Sequence, residues 1–416
     1  MRCFLKTSAT KTASVGILLA LTVSAVALVA EADHSAAADW PNWRGPTHDG
    51  VSKEKGWLTA WPKEGPKRLW TAEVGFGHAG VAVQGGKVYV MGRDGKQDVV
   101  FCYNAETGAT VWKHSYPAAE SAYGRGPRAA PALDGKAVYT VSADGQVLCL
   151  DALSGEVIWR KNLYKELNLA MPRHEFATAP IVEGQLLLLN MGASGLALDK
   201  KTGRVVWKSA GESSYSSPVP FTLAGKRCVA LFAAGGLTVV DLAGRQTVAL
   251  YPWKTLDNAN CADPVIVGDA IFITSSYGGG CALLDVSGTN PTVRWKKGFE
   301  CHFASPVLAG DFLYVLAGSG WLRADLVCVS TKDGSLRWKE KDVGCGGLIL
   351  ADGKLLILSR RGVLILAEAS PAAYTEIGRA KVFSKGDCWN GPVLSDGRVY
   401  VRNENGTLVC LDLRGG

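Results

Sequence analysis

Several common signatures of chemistry are missing from this chain. Histidine is scarce, 6 in 416 residues, and no two cysteines stand at Cys-x-x-Cys spacing. That excludes the usual zinc frames, and no metal site is expected. No phosphate-binding Walker loop, nucleophile elbow or zincin motif occurs. Gly75-Phe76-Gly77-His78-Ala79-Gly80 has dinucleotide-type glycine spacing but leads into a strand pattern. Its chemistry needs a helix N-terminus there, so it is set aside. Charge of one sign is never concentrated: the formal net charge is +7, and no basic block runs beyond a few residues. A nucleic-acid groove is therefore not expected. Long apolar runs are absent after residue 38, so no membrane span is expected in the mature chain.

The one long apolar stretch, Thr12 to Ala30, follows basic Arg2, Lys6 and Lys11. Small-residue sites follow at Ala25-Val26-Ala27, Ala30-Glu31-Ala32 and Ala36-Ala37-Ala38. Residues 1–38 are expected to be a secretory signal peptide, cleaved somewhere within 27–38. A retained anchor is the alternative. No cysteine lies between Cys3 and Cys102, so a lipidated mature N-terminus is not expected.

What is abundant is glycine, 49 residues, with 13 tryptophans, in a chain that is 47% apolar. This balance points to many short strands joined by tight turns. From Pro131 to Trp159, Asp134-Gly135, Asp144-Gly145 and Ser154-Gly155 divide the sequence into four apolar runs. Glycine accepts the positive φ of a tight hairpin, so the unit is a four-stranded antiparallel sheet. The unit recurs, and an aromatic residue closes each copy: Trp70, Trp112, Trp159, Trp207, Trp253, Trp295, Trp338 and Phe383. Even spacing of this kind marks a repeat architecture. The fold class is all-β, an eight-bladed propeller of four-stranded antiparallel blades. The aromatic residues are expected to pack on the turn of the adjacent blade. Trp253 and Phe383 are the weakest members of the series.

The two ends of the repeat region predict ring closure. Pro392 to Leu413 supplies only three strands, and residues 67–74 read as an orphan fourth strand. Together they make the eighth blade and leave no open edge. The propeller domain is then 67–416, with residues 39–66 as an N-terminal segment on its surface and the chain acting as a monomer.

Residues 144–159 and Asn104 to Trp112 resemble the repeat of pyrroloquinoline-quinone (PQQ) type propellers, and Asp39 to Gly50 is similar to the start of many secreted bacterial proteins with such repeats. Two groups frame what the resemblance implies. The BamB-like group implies a non-catalytic scaffold of the bacterial cell envelope. The quinoprotein dehydrogenases imply PQQ and calcium held in the central funnel, beside a vicinal Cys-Cys pair. This chain has no adjacent cysteines. The expectation is an exported, periplasmic or envelope-associated protein without catalytic residues or cofactor. A PQQ and calcium dehydrogenase is the alternative, and a carbohydrate- or peptide-binding propeller a third.

The expected place for a ligand or partner is the funnel mouth, where each inner strand begins. Three residues before the strand-opening position, the repeats hold His78, Arg128, Ala177, Tyr215, Cys261, Phe303, Cys345 and Trp389. A position that only packs should repeat its residue type, and this one does not. His174 and His302 stand next to it, with Glu175, Asp263 and Glu300 also near. The expected occupant is another envelope protein or a small ligand. Cys261, Cys301, Cys345 and Cys388 all precede inner strands, and in an oxidising compartment Cys261–Cys301 or Cys345–Cys388 could pair. Cys102, Cys149, Cys328 and Cys410 share a third-strand position and are expected to be core residues.

Overall fold

The computed structural model describes residues 39–119, 126–319 and 323–415. The expected signal peptide, including the alternative of an anchor, lies outside the described residues. Among the described residues no helix is long and apolar enough to cross a membrane. Among the described residues, helix is confined to Leu163–Leu167 and a single turn at Leu256–Asn258.

Eight antiparallel sheets follow one another around the ring. Blade 1 comprises Val81–Gln84, Lys87–Asp94, Gln97–Asn104 and Thr110–Pro117, from the channel outward. Blade 8 is made of Val393–Ser395, Arg398–Arg402 and Thr407–Asp412, completed by Lys67–Glu73 from the other end of the chain. The predicted closure is present, and its register runs from Lys67 opposite Asp412 to Glu73 opposite Thr407.

One cross-strand rung explains how the sequence builds the blades. Tyr89, Cys102 and Trp112 stand opposite one another on the second, third and outer strands of blade 1. Tyr139, Cys149 and Trp159 do so in blade 2, Tyr314, Cys328 and Trp338 in blade 6, and Tyr400, Cys410 and Trp70 in blade 8. The cysteine is the small residue that lets two large rings meet across it, 5.8 to 6.1 Å apart in all four blades.

Each such tryptophan also reaches the next blade. Trp70 Nε1 donates to Ala105 O (3.0 Å), Trp112 to Ala152 O (3.0 Å), Trp159 to Lys200 O (3.0 Å), Trp295 to Thr331 O (2.7 Å) and Trp338 to Ser370 O (2.8 Å). The ring lies on a turn glycine: a Cβ at Gly155 would come within 2.6 Å of Trp112, and one at Gly108 within 2.7 Å of Trp70. Glycine is needed there twice over, for that approach and for its positive φ. Trp207 packs against the apolar cluster shared with blade 4, but its Nε1 is buried without an acceptor.

Two members of the aromatic series stand off the rung, though Trp253 still docks on the next blade as expected. The rung positions of blades 4 and 7 hold Ala249 and Gly378, not Trp253 and Phe383. Trp253 lies beyond the outer strand Gln246–Pro252 and ties blade 4 to blade 5 through Ser275 Oγ (2.7 Å). Phe383 lies beyond Glu376–Lys381 and packs on Gly362 of its own blade. Spacing alone could not separate them, because each aromatic sits only a few residues past the rung position, just beyond the end of the outer strand.

The placement of residues 39–66 on the surface holds for much of 53–64 but is corrected for 40–52. Trp40 is 3% exposed and Trp57 6%. Residues 40–52 thread the channel, where they find partners for backbone groups that inner strands leave unpaired. Trp40 exchanges two backbone bonds with Val83 of blade 1, and Pro41 O accepts from Leu133 N of blade 2. Val51–Ser52 adds a short parallel strand to Gly346–Ala351 of blade 7. Glu54 then accepts from the Asp396 and Gly397 N–H groups of blade 8 at 2.7 and 2.8 Å.

Candidate functional site

Inner strands run away from the funnel mouth, and the threaded segment meets them near their far ends. The channel is therefore closed at one end by the chain itself. The remaining cavity, of about 550 Å³, opens toward the loops that precede the inner strands. That volume is in the range of small-ligand sites.

One wall is a continuous aromatic series. His78 stacks on Trp389, with centroids 5.0 Å apart. Trp389 meets the Phe303 ring edge to face at 5.2 Å. Phe303 stacks on His302 at 3.7 Å, and His302 meets Tyr277 edge to face at 5.0 Å. Such contacts fix ring orientation beyond simple burial. Trp389 is anchored from outside: Nε1 donates to Glu404 Oε2 (3.0 Å), and the Arg360 guanidinium lies 5.2 Å from the ring centroid.

The opposite wall is polar and shallow-chained. Arg128 Nη1 donates to Glu175 Oε2 at 3.0 Å. The His174 backbone N–H donates to the Tyr215 hydroxyl at 3.2 Å. Burial lowers the His174 pKa, against Asp257 which raises it. Ala130, Ala177 and Ala179 line this side and leave the space open.

Asp263 and Trp43 form the floor. Trp43 Nε1 donates to Asp263 Oδ2 at 2.6 Å, and the Ser217 N–H donates to Oδ1 at 2.6 Å. Burial raises the Asp263 pKa, while nearby Arg44 and these N–H groups oppose the rise. Arg44 is held by Asp49 O and Pro306 O, both at 2.6 Å. Burial pushes the Cys261 thiol up to about 12, with Asp263 adding to the effect.

Of the residues expected at the mouth, His78, Arg128, His174, Tyr215, Cys261, His302, Phe303 and Trp389 come together around this cavity. Cys345 does not line it. Blade 7 lacks the strand-opening proline, and Gly346–Ala351 begins directly after Cys345. The side chain packs instead against the apolar core between blades 5 and 7. The conceivable Cys261–Cys301 and Cys345–Cys388 disulfides are not formed, and Cys301 and Cys388 are buried thiols. Trp43 and Tyr277 were not foreseen. Trp43 belongs to no repeat, and the only hint was a tryptophan pair, Trp40 and Trp43, just before the ring. Tyr277 sits in a turn at a positive φ of 59°. Among the described residues no group of three or more His, Cys, Asp or Glu side chains is arranged to hold a metal.

A protein-family model described as outer membrane protein assembly factor BamB matches residues 54–162 and 96–340. The outer membrane protein assembly factor BamB of Burkholderia pseudomallei is 26% identical over 314 residues, 70% of this chain and 74% of that protein. Among solved structures, BamB from Moraxella catarrhalis superposes with a TM-score of 0.62 at 16% identity, covering 84% of this chain and 98% of that one. The quinohemoprotein alcohol dehydrogenase from Comamonas testosteroni gives 0.65 at 14% identity, covering 92% and 82%. At such identities the two structures speak for the shared propeller alone. The family match spans well over half the sequence, and the chain belongs to the BamB family of PQQ-type propellers.

Proposed function

We propose that this chain is an exported, non-catalytic propeller of the cell envelope that presents its funnel face to another envelope protein. The relatives are named as outer membrane assembly factors, and the leader-like N-terminus agrees with export. The observation that carries the non-catalytic part is how Arg128, Asp263 and Cys261 of the funnel are employed. Arg128 is joined to Glu175, and both Asp263 oxygens accept hydrogen bonds from the protein. Cys261 holds its proton at neutral pH, since a thiolate and not a thiol is the nucleophile. A poised acid, base or nucleophile needs a pKa near the working pH.

The rival is a PQQ and calcium dehydrogenase, which the quinohemoprotein likeness brings into view. The donor set does not fit it. Calcium takes six to eight oxygen ligands. Asp263 is the carboxylate lining the cavity, and its oxygens are already held by Trp43 and Ser217. Affinity capture from an envelope extract tests the proposal, with the chain as bait and W389A as control. An envelope protein retained by the parent and lost with W389A supports it. Reduction of a dye with an alcohol or sugar after loading with PQQ and Ca²⁺ overturns it.

A further inference from the structure

We propose that the blind cavity of the funnel binds a neutral saccharide, one to two rings in size. This goes beyond the partner reading, which concerns the face around the mouth.

Three observations converge. The first is charge. Arg128 already has Glu175 as its counter-charge, and Asp263 has Arg44 beside it together with two N–H donors. A charged ligand would enter without a counter-charge and lose its hydration, which disfavours it strongly.

The second is the aromatic wall. Trp389 and Phe303 are held rigidly by their neighbours, and the ring surface left uncovered by His78, Arg360 and His302 lines the cavity. A pyranose carries a flat C–H face that packs on such a ring without needing a charge.

The third is hydrogen-bonding capacity on the other wall. Arg128 uses Nη1 on Glu175 and has further N–H groups. The Tyr215 hydroxyl accepts from the His174 N–H and keeps its own hydrogen to donate. The Asn390 amide nitrogen donates to His78 O, leaving Oδ1 as an acceptor. A purely aryl or aliphatic ligand would expel water from these groups and leave them unmatched, at a cost. A ring of hydroxyls that both donate and accept satisfies them. The floor of Trp43 closes the base, so the site takes a chain end or a short oligosaccharide, not a threaded polymer.

The experiment is calorimetric titration of the mature protein with maltose, cellobiose and N,N′-diacetylchitobiose, with glucuronate and indole as comparators. At least one disaccharide should bind with a Kd of about 1 mM or tighter, at least about tenfold better than glucuronate or indole. W389A should weaken it about tenfold or more, while W389F, which keeps a flat ring, should stay within about threefold. Circular dichroism and melting confirm that each variant is folded. N390A, on the polar side, supplies a second reading should W389A fail to fold. No disaccharide binding to folded protein, tighter binding of indole, or affinity indifferent to both W389A and N390A each overturns the assignment. Retention of an envelope protein without saccharide binding leaves the proposed function standing and removes only this inference.

Discussion

At the seam between blades 1 and 2, the outer ring and its support come from within two adjacent repeats. Trp112 lies on Gly155 and donates to Ala152 O, about forty residues away in sequence. At the seam between blades 7 and 8, the outer ring and its support are not local. The rung position of blade 7 holds Gly378, and the ring that covers it is Trp61, from the approach to the first strand. Blade 8 has no turn between its third and outer strands, because those strands are the two ends of the propeller. A blade 7 tryptophan would have no turn to lie on, so the incoming segment supplies the ring and its own support. The regular seam forms from local contacts, whereas the closing seam requires ordering a loop of the whole domain, an entropic cost recovered only when the ring is complete.

The comparison breaks most completely if the closing strand is removed. Deleting residues 67–74 takes away Trp70, its bond to Ala105 and the outer edge of blade 8. Loss of a cooperative melt followed by circular dichroism is expected, since blades buried by their neighbours have no independent stability. A single transition at the parent's temperature would show that closure is not what holds the ring.

A regular seam should fail by a finite amount. W112A removes a buried ring and leaves Gly155 and the Ala152 carbonyl without their cover. A loss of about 3–5 kcal/mol is expected in denaturant unfolding. W207A should cost less, because Trp207 is only partly buried and its Nε1 bonds no acceptor. Equal losses would mean that the Nε1 bond and the glycine contact add nothing.

The threaded segment can be probed by pH. Burial lowers the His48 pKa from 6.5 to about 4, against a hydrogen bond that the imidazole donates to the Trp43 backbone, which raises it. The unfolded chain then takes up a proton near pH 6.5 that the folded chain refuses until about 4. Stability is full above the upper value and falls as pH drops through this window, by at most about 3 kcal/mol. In H48Q that limb should flatten relative to the parent. Parallel curves for the two proteins would place the acid sensitivity elsewhere.

How much of this was legible follows from what repeats and what does not. The blades were legible because Asp-Gly turns and the Tyr, Cys and Trp rungs recur with the same neighbours. The orphan strand at residues 67–74 was legible because it lacked three partners and the last repeat lacked one. The cavity wall was legible by the opposite sign, a position aligned across repeats whose residue type changes. Cys345 departed from that position because blade 7 replaces the opening proline with Gly346-Gly347, which extends the strand. The threading of residues 40–52 was hidden for a physical reason. Their burial depends on six different blades meeting one short stretch, and no local pattern records that. Trp253 and Phe383 were put at the rung because spacing locates a repeat but not which residue stands opposite the inner strands, which only cross-strand pairing reveals.

The smallest expected effect is also the sharpest test of the comparison. Trp61 is only partly buried and its Nε1 donates within its own segment, to Leu58 O at 3.1 Å. By exposure alone, W61A should cost little more than an ordinary surface change. By the seam argument it uncovers Gly378 and loosens the stretch that carries Leu58 N to Leu413 O and Gly65 to Ala380. A loss of about 1–3 kcal/mol is therefore expected, comparable to other buried-contact deletions and below that of W112A. The two readings separate further in amide exchange. If Trp61 secures closure, W61A should speed exchange in Lys67–Glu73 and Thr407–Asp412 while leaving the blade 2 strands unchanged. Uniform acceleration around the ring would instead show that the closing seam is no weaker than the regular ones, and that its borrowed tryptophan is incidental.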